Sequence, residues 1–485
     1  MNRLRSIQAD AAFVSEIADL FPQFPVFANE RCGTWYVHPS KIHRPGVYFK
    51  STDGHTGRWD FNLRRYNPHL ITAIINHGGC IVVDSTRKGK RIPDALSKTI
   101  PIWCATINTA VRKCALRRQE AQAQQQSESQ RWDTRYHSLP SLISRSEHEQ
   151  IAEKIDGFSE RLLRFTDLAP LTTRLLKPIR PIWLTPQSLL LKDYVPDYDQ
   201  VAFFPVICLS ASRVVPEGME ECNGYLYVQG SGDDEEMWSK GLTPDLFWEN
   251  EHYLLEGGIS PAKCEARAQE IVQEAKRKLN NRGSGNKADI TDDNNKGGLQ
   301  GTGIWIGNNA SARIPDSWEE GFDMVINCAA EIRRDIMFEG SEESQVYHYL
   351  HLPIAEGKKG QRQLLEMIPF AIKAVESFYA SRATQEADGK ACGAKILIHC
   401  QQGMDRSVGI ALALLVSCFD EETGGYIRGS RDKQQTTSKE AIQRRLFQIM
   451  SHRLAARPSR ATLKMVNTYF MSPTDPPPAK YKQQS

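Results

Sequence analysis

Near the C-terminal end of the chain an apolar run, Ile396-Leu397-Ile398, stops at His399-Cys400. After five intervening residues Arg406-Ser407 opens a second apolar stretch, Val408-Gly-Ile-Ala-Leu-Ala-Leu-Leu-Val416. The first run has the length and composition of a buried strand and the second that of a buried helix. The segment between them is therefore a short loop pinned at both ends. A loop of this length wrapped around a tetrahedral anion points successive backbone N–H groups inward, while the helix that follows adds its positive end. Cys400, Gln401, Gln402, Gly403, Met404, Asp405, Arg406 and Ser407 accordingly read as a phosphate loop. Arg406 is the clamp for two phosphate oxygens. Cys400, at a helix N-terminus and beside an arginine, is expected to be a thiolate to which Ser407 donates a hydrogen bond.

Other landmarks precede this loop in order: Ile304-Trp-Ile-Gly-Asn308, Phe322-Asp-Met-Val-Ile-Asn-Cys328 and Tyr349-Leu-His-Leu-Pro-Ile354. Over residues 302–420 the wording resembles a dual-specificity phosphatase domain, which implies a parallel sheet flanked by helices. In that family an aspartate after the Pro-Ile strand protonates the leaving group. The matching stretch here, Ala355-Glu356-Gly357-Lys358-Lys359, offers only Glu356.

A second segment has the same layout. The apolar Cys80-Ile-Val-Val83 leads into Asp84-Ser85-Thr86-Arg87-Lys88-Gly89-Lys90-Arg91, and a helix is expected from Pro93-Asp94. Ser85 stands where Cys400 stands, and Arg91 follows after the same interval. The N-terminal module therefore reads as a degenerate protein-tyrosine-phosphatase-like fold, and both modules as α/β. A neutral serine without an activating base is a poor nucleophile, so this loop should hold phosphate and not hydrolyse it. Lys50, Ser85, Thr86, Arg87, Lys88, Gly89, Lys90 and Arg91 form the candidate phosphate-binding set. Their charge exceeds what one monophosphate needs and favours a pyrophosphate. Upstream, Lys50-Ser-Thr-Asp-Gly-His-Thr-Gly57 places Asp53 and His55 two residues apart, where general-base or metal work is feasible.

At 485 residues two or three domains are expected. The Gln-rich 119–130 and the Asn/Gly/Asp-rich 278–301 read as flexible. Organisation follows as an N-terminal domain over 1–277, a linker over 278–301, a second domain over 302–472 and a loose tail over 473–485. Mean hydropathy is -0.47, and no apolar run approaches the roughly 20 residues of a membrane span. Eleven cysteines lack disulfide or zinc spacing, and the N-terminus does not read as a secretory signal, so a cytoplasmic protein is expected. A net charge of +3 is too small to imply a polyanionic partner by itself. Local clusters are better candidates for nucleic acid: Arg87, Lys88, Lys90, Arg91 and Lys98, then Arg112, Lys113, Arg117 and Arg118. Basic and aromatic residues also interleave at Arg58-Trp59, Phe61 and Arg64-Arg65-Tyr66.

Residues 49–65 (FKSTDGHTGRWDFNLRR), residues 82–108 (VVDSTRKGKRIPDALSKTIPIWCATIN), Tyr227-Val-Gln-Gly-Ser-Gly-Asp-Asp-Glu235 and Leu242-Thr-Pro-Asp-Leu-Phe-Trp248 together resemble the fungal and plant initiator tRNA phosphoribosyl-transferases. The resemblance covers nearly the whole chain, including the phosphatase-like module after a linker. It implies a glycosyltransferase reaction in which the 2'-hydroxyl of the purine at tRNA position 64 attacks carbon 1 of phosphoribosyl pyrophosphate and releases pyrophosphate. The modified tRNA is then kept for initiation. The implied partners are initiator tRNA and phosphoribosyl pyrophosphate with Mg2+; no membrane and no obligate protein partner is called for. On this reading Arg87, Lys88, Lys90 and Arg91 hold the departing pyrophosphate, Asp53 or His55 takes the hydroxyl proton, and Asp84, Asp233 and Asp234 are candidates for ribose hydroxyls or the metal. Two other readings stay open: a cysteine-dependent phosphatase acting through Cys400 on RNA or phosphoinositides, and a tRNA-binding adaptor without catalysis.

Overall fold

The computed structural model describes residues 1–30, 32–87, 89–122, 132–188, 197–222, 224–281, 296–299, 301–309, 311–312, 317, 320–331, 348–385, 394–421, 423–427, 437–453 and 455–472. The chain forms two compact units, Met1–Asn286 and Lys287–Ser485.

In the first unit the order is α1 (Asn2–Leu20), β1 (Val26–Ala28), α2 (Pro68–His77), β2 (Cys80–Asp84), α3 (Ile100–Gln122), α4 (Arg145–Phe165), β3 (Ile179–Leu184), β4 (Phe204–Ser210), a hairpin of β5 (Met219–Cys222) and β6 (Tyr225–Val228), and α5 (Pro261–Asn281). Local chemistry sets several of these boundaries. Pro68 starts α2 at a position that needs no N–H, and Gly78 ends it in the left-handed region. Ser144 caps α4 by accepting from the Glu147 amide. Strands β1, β2, β4 and β3 lie side by side in that order, all parallel. Every residue of β2 is buried, as a strand covered on both faces requires. On one face Ile81, Val83, Ile207 and Leu209 pack against Leu4, Ile7, Ala11 and Val14 of α1, whose three- and four-residue spacing lines one helix side.

The second unit contains β7 (Lys296–Gly298), β8 (Ile304–Asn308), β9 (Met324–Asn327), β10 (His348–His351), α6 (Lys358–Gln385), β11 (Ile396–Cys400), α7 (Arg406–Cys418), α8 (Lys439–His452) and α9 (Arg460–Met471). The sheet order is β10-β9-β11-β8-β7, parallel except for β7. All residues of α7 are buried, so the helix runs through the core.

Both units are α/β with helices against a parallel sheet, as the sequence implies. Each has a phosphate-loop strand, β2 or β11, between two parallel neighbours. The chain reaches that arrangement differently: β11 is the last strand of its sheet, whereas β4 joins β2 only after the loop has been passed.

Two expected boundaries shift. Helix α3 continues to Gln122, so the flexible stretch expected from 119 begins inside a helix, and 123–131 lie outside the described residues. The linker expected over 278–301 begins in the last turn of α5 and takes in β7, which pairs with β8. The tail over 473–485 lies outside the described residues.

Candidate active site

Ligand sites in parallel sheets collect beyond the carboxyl ends of the strands. In the first unit the ends of β1 and β2, the loop of residues 50–55 and the turn after β6 enclose a cavity of about 290 Å3 there. The loop after β2 forms one wall, and Gln229 fixes its conformation. The buried amide of Gln229 donates to the carbonyls of Thr86 (3.3 Å), Arg87 (3.1 Å) and Lys90 (2.9 Å). Because a trans peptide holds C=O and N–H on opposite sides, the Arg87 and Arg91 amides face away from Gln229. Gly230 closes the same contact. Its φ is 66°, and a Cβ there would lie 2.8 Å from the Arg87 Cα, so no side chain fits between turn and loop.

The floor is polar and fully paired. Asp84 accepts from Asn29 Nδ2 (2.8 Å), Cys32 Sγ (2.7 Å) and the Ser85 amide (2.9 Å). Burial still pushes its carboxyl up to about 6. Cys32 goes the other way from a reactive thiol: burial, then the charges of Asp84 and Asp233, hold it well above the usual range. The Ser85 hydroxyl points back from the cavity to Ser212 Oγ at 2.7 Å.

Lys50, His55, Asp84, Ser85, Thr86, Arg87, Lys90, Asp233 and Asp234 of the expected set line this cavity. Gly89 lies in the loop at a φ of 85°, and Lys88 lies outside the described residues. Two expected members are elsewhere. Asp53 is buried and bound through both oxygens to Arg65 (2.8 and 2.9 Å), so its carboxylate is already committed to an ion pair. Arg91 reaches Thr185 Oγ1 at 3.2 Å and does not line the cavity, because its side chain turns toward the end of β3.

Electrostatically the lining is not the basic patch that the sequence suggests. Glu30, Asp84, Asp94, Asp233, Asp234, Glu235 and Glu236 share it with Lys50, Arg87 and Lys90. Arg87 is paired with Asp233 (3.2 Å) and with Asp234. Asp94 draws in Lys90 at 2.7 Å, Lys98 at 3.6 Å and His55 Nε2 at 3.7 Å. Asn29, Cys32, Asp94 and Gln229 escape a reading by motif. The available signal for the first two was position, just after a strand that neighbours the loop strand. For Asp94 it was the start of the following helical segment.

The other nucleic-acid candidates are largely spent on structure. Trp59, Phe61 and Tyr66 are buried. Lys113 pairs with Asp156 (2.6 Å) and Glu160 (2.7 Å), and Arg117 with Glu160 (3.0 Å), which docks α3 on α4. Lys98 is buried between Asp94 and Glu147.

In the second unit the loop after β11 surrounds Cys400 with donors. Cys400 Sγ lies 3.2 Å from Ser407 Oγ and accepts from the Gly403 amide at 3.3 Å. Burial alone would raise this thiol; the Ser407 hydroxyl and amide, the Arg406 charge and the Gly403 amide outweigh it and hold it below the ordinary value. His399 and Gln401 are tied to Asn309, and Asp405 Oδ1 accepts from the Ser459 amide at 2.8 Å, which anchors the loop at both ends. Arg406 is buried and donates to the Ile354 carbonyl and to Glu356 Oε1, both at 2.7 Å. Glu356 is thus at the mouth of the loop, but bonded to Arg406, the expected phosphate clamp.

Comparison with known proteins gives a family match in each unit: the Rit1 N-terminal domain over residues 1–273 and the Rit1 DUSP-like domain over residues 348–470. An uncharacterized protein of Schizosaccharomyces pombe is 33% identical over 483 residues, spanning 97% of this chain and 94% of that protein. A tRNA A64-2'-O-ribosylphosphate transferase of Saccharomyces cerevisiae is 31% identical over 499 residues, spanning 97% of this chain and 92% of that protein. Among solved structures, the Yvh1 phosphatase domain of Chaetomium thermophilum is 16% identical with a TM-score of 0.27, covering 36% of this chain and 95% of that one. Human DUSP28 is 15% identical with a TM-score of 0.22, covering 34% and 87%. No helix among the described residues is long and apolar enough to cross a membrane.

Proposed function

The chain belongs to the Rit1 family, and on that footing we propose that it is a tRNA-modifying transferase that moves a 5-phosphoribosyl group from phosphoribosyl pyrophosphate to the 2'-hydroxyl of the purine at position 64 of initiator tRNA. Pyrophosphate leaves, and the modified tRNA is withheld from elongation. The observation that carries this reading is the cavity under the loop after β2: a phosphate loop whose nucleophile position is a serine bonded backwards to Ser212, with Arg87 and Lys90 at its edge. Such a site holds an anion and has no thiolate with which to attack it.

In the reaction the bond from carbon 1 to the pyrophosphate oxygen breaks, the bond from carbon 1 to the 2'-oxygen forms, and the hydroxyl proton must be taken up. The transition state is cation-like at the sugar and polyanionic at the leaving group, so placement and charge stabilisation do most of the work. The loop amides, Arg87 and Lys90 hold the pyrophosphate. His55, at the rim and 3.7 Å from Asp94, is the residue we assign to the proton. The acid-rich lining would repel a bare pyrophosphate and suits one carrying Mg2+, a cation that takes one or two protein carboxylates and completes its shell with phosphate oxygens and water. Asp233 and Asp234, beside Arg87 in the cavity lining, are the carboxylates that would hold it. Bound there, Mg2+ would neutralise charge on the leaving group. Supporting this assignment, burial holds the Asp233 carboxyl above its ordinary value, partly offset by Cys32 and Arg87, so a nearby cation would stabilise its charged form.

The test is incubation of the protein with labelled phosphoribosyl pyrophosphate, Mg2+ and either initiator or elongator tRNA. Label on initiator tRNA alone supports the proposal. The lowered Cys400 thiol favours a second reading, a phosphatase, which predicts no label on tRNA and phosphate release from a generic ester. If neither label transfer nor phosphate release occurs, the adaptor reading is left.

A further inference from the structure

Behind the phosphate loop lies a buried chain of hydroxyl and carboxyl groups that the transfer chemistry above leaves unused. Ser85 Oγ is 2.7 Å from Ser212 Oγ, Ser212 Oγ is 2.6 Å from Asp10 Oδ2, and Tyr227 donates its hydroxyl to Asp10 Oδ1 at 2.7 Å. Asp10 sits on the apolar side of α1, between Ile7 and Ala11, and is 4% exposed; Ser85 is 3% and Ser212 1% exposed. A carboxyl group in such a place is costly unless every bond is made. The donors can be counted. When Asp10 is ionised it can only accept, so Ser212 donates to it. Ser212 Oγ then accepts from the Gly230 amide (3.3 Å) and from Ser85. Ser85 thereby spends its proton inward and, with the Tyr36 hydroxyl also bonded to it, has none left to offer a phosphate oxygen. When Asp10 carries a proton the order reverses: Asp10 donates to Ser212, Ser212 to Ser85, and Ser85 to the cavity.

We propose that Ser85, Ser212 and Asp10 form a directional hydrogen-bond relay, so that binding of pyrophosphate at the loop is accompanied by uptake of one proton at Asp10. Asp10 is a positioning residue: it acts on the ligand only through the two serines. The inference rests on the reading that the loop holds the pyrophosphate of the donor.

The surroundings allow Asp10 to change state near neutrality. Burial pushes its carboxyl up to about 7, against the bonds from Ser212 and Tyr227 and the charge of Arg213. The other groups facing it are Tyr36 after β1, Tyr225 and Tyr227 on β6, and Arg213 after β4. Burial, and with it the Asp10 charge, raises the hydroxyls of all three tyrosines, which stay protonated. Arg213 lies over the Tyr227 ring at 4.5 Å and pairs with Glu220 at 2.9 Å. Asp10 is therefore the member of this group that titrates.

Calorimetry of pyrophosphate binding to the full chain with Mg2+, at pH 8 in buffers of different ionisation enthalpy, counts the protons taken up. Wild type is expected to take up close to one proton more than Asp10→Asn, whose amide N–H is a fixed donor to Ser212. At that pH Asp10→Asn should also bind up to about tenfold more tightly, because wild type must first populate the protonated form; near pH 6 the two affinities converge. Ser212→Ala interrupts the relay without touching α1, and should lose the extra proton as well. The ligand's own titration is common to all three proteins and cancels. Equal proton counts in wild type and both folded variants overturn the relay while the donor site stands. Absence of pyrophosphate binding in all three, each folded by circular dichroism, overturns the donor reading and the relay with it.

Discussion

Two loops of one design occupy the two units, and nearly everything chemical about them differs. Each follows a fully buried parallel strand, β2 or β11, and each spans the same interval from its first residue to its arginine. In the second unit that arginine, Arg406, is buried at the loop, and the residue in first position, Cys400, is surrounded by donors. In the first unit Arg91 turns away to Thr185, and among the described residues the other cations of the loop are Arg87 and Lys90 on the rim, each facing carboxylates. The cysteines beside the two loops make the same point. Cys400 is held below the ordinary thiol range by Ser407, Arg406 and Gly403, whereas Cys32, against Asp84 and Asp233, is held well above it. Burial raises both thiols; the sign of the neighbouring groups decides which becomes a thiolate. A backbone layout is therefore shared between a loop whose first residue is a sulfur surrounded by donors and a loop whose first residue is a serine bonded away from its cavity.

The largest effect expected to test this division comes from removing the rim cations. Arg87→Ala with Lys90→Ala should reduce transfer to tRNA about 100-fold or more, the loss usual for groups that stabilise developing charge. Cys400→Ser should change the same rate by less than about threefold, since the transfer forms no bond to sulfur. A loss of similar size in Cys400→Ser would show that the two loops act on one reaction.

Next in size is the packing behind the first loop. Gly230→Ala places a Cβ 2.8 Å from the backbone of Arg87 at a φ of 66°. The strain of a side chain there is about 1–3 kcal/mol, and the loop must move to relieve it. Thermal melting of the first unit and pyrophosphate affinity should both fall, the affinity by roughly tenfold. Gly403→Ala is the counterpart in the second unit: its φ is 68°, and a Cβ would meet the Gly307 carbonyl at 2.5 Å. It should depress Cys400 reactivity and leave pyrophosphate binding unchanged. An effect of either variant on the other unit's readout would break the comparison.

Which of these features the sequence discloses depends on how local their causes are. Cys80-Ile-Val-Val83 and Ile396-Leu-Ile398 read as buried strands, and the polar segments after them as phosphate loops, because strand, turn and helix start are set within a dozen neighbouring residues. Asp53 shows the converse. Two residues from His55 it reads as a proton acceptor, yet both its oxygens are held by Arg65, which a short helical turn brings to it. Arg91 was misplaced by copying the geometry of Arg406, although the segment after it winds as a wide helical turn over Ala95–Thr99 before α3 begins. Gln229, Asp10 and Cys32 lie far along the chain from the loop they support. They meet it only because β1, β6 and α1 converge on the end of β2, and no spacing in the sequence encodes that convergence. The basic residues show the same limit: a count of Lys and Arg finds Lys98 and Lys113 but not Glu147 and Glu160, which neutralise them.

The finest test addresses the sulfur itself. Alkylation by iodoacetamide proceeds through the thiolate, so its rate rises with pH until the thiol has fully titrated. For Cys400, held below the ordinary value of 9.0, the plateau should be reached at lower pH than for a free thiol. For Cys32, held well above it, no plateau should appear in the range where the fold survives. Peptide mass spectrometry reads the two sites in one sample. Ser407→Ala removes the hydroxyl 3.2 Å from the sulfur. With one bond to the charged form lost, the thiol should rise by about one pKa unit. Near pH 7 the thiolate fraction then falls, while each remaining thiolate becomes more nucleophilic. Since nucleophilicity follows basicity with a coefficient near one half, the plateau moves to higher pH and its height rises by about threefold. Preferential labelling of Cys32, or a Cys400 profile unmoved by Ser407→Ala, would mean that burial outweighs the donors at both sulfurs and that the two loops differ in residue but not in chemistry.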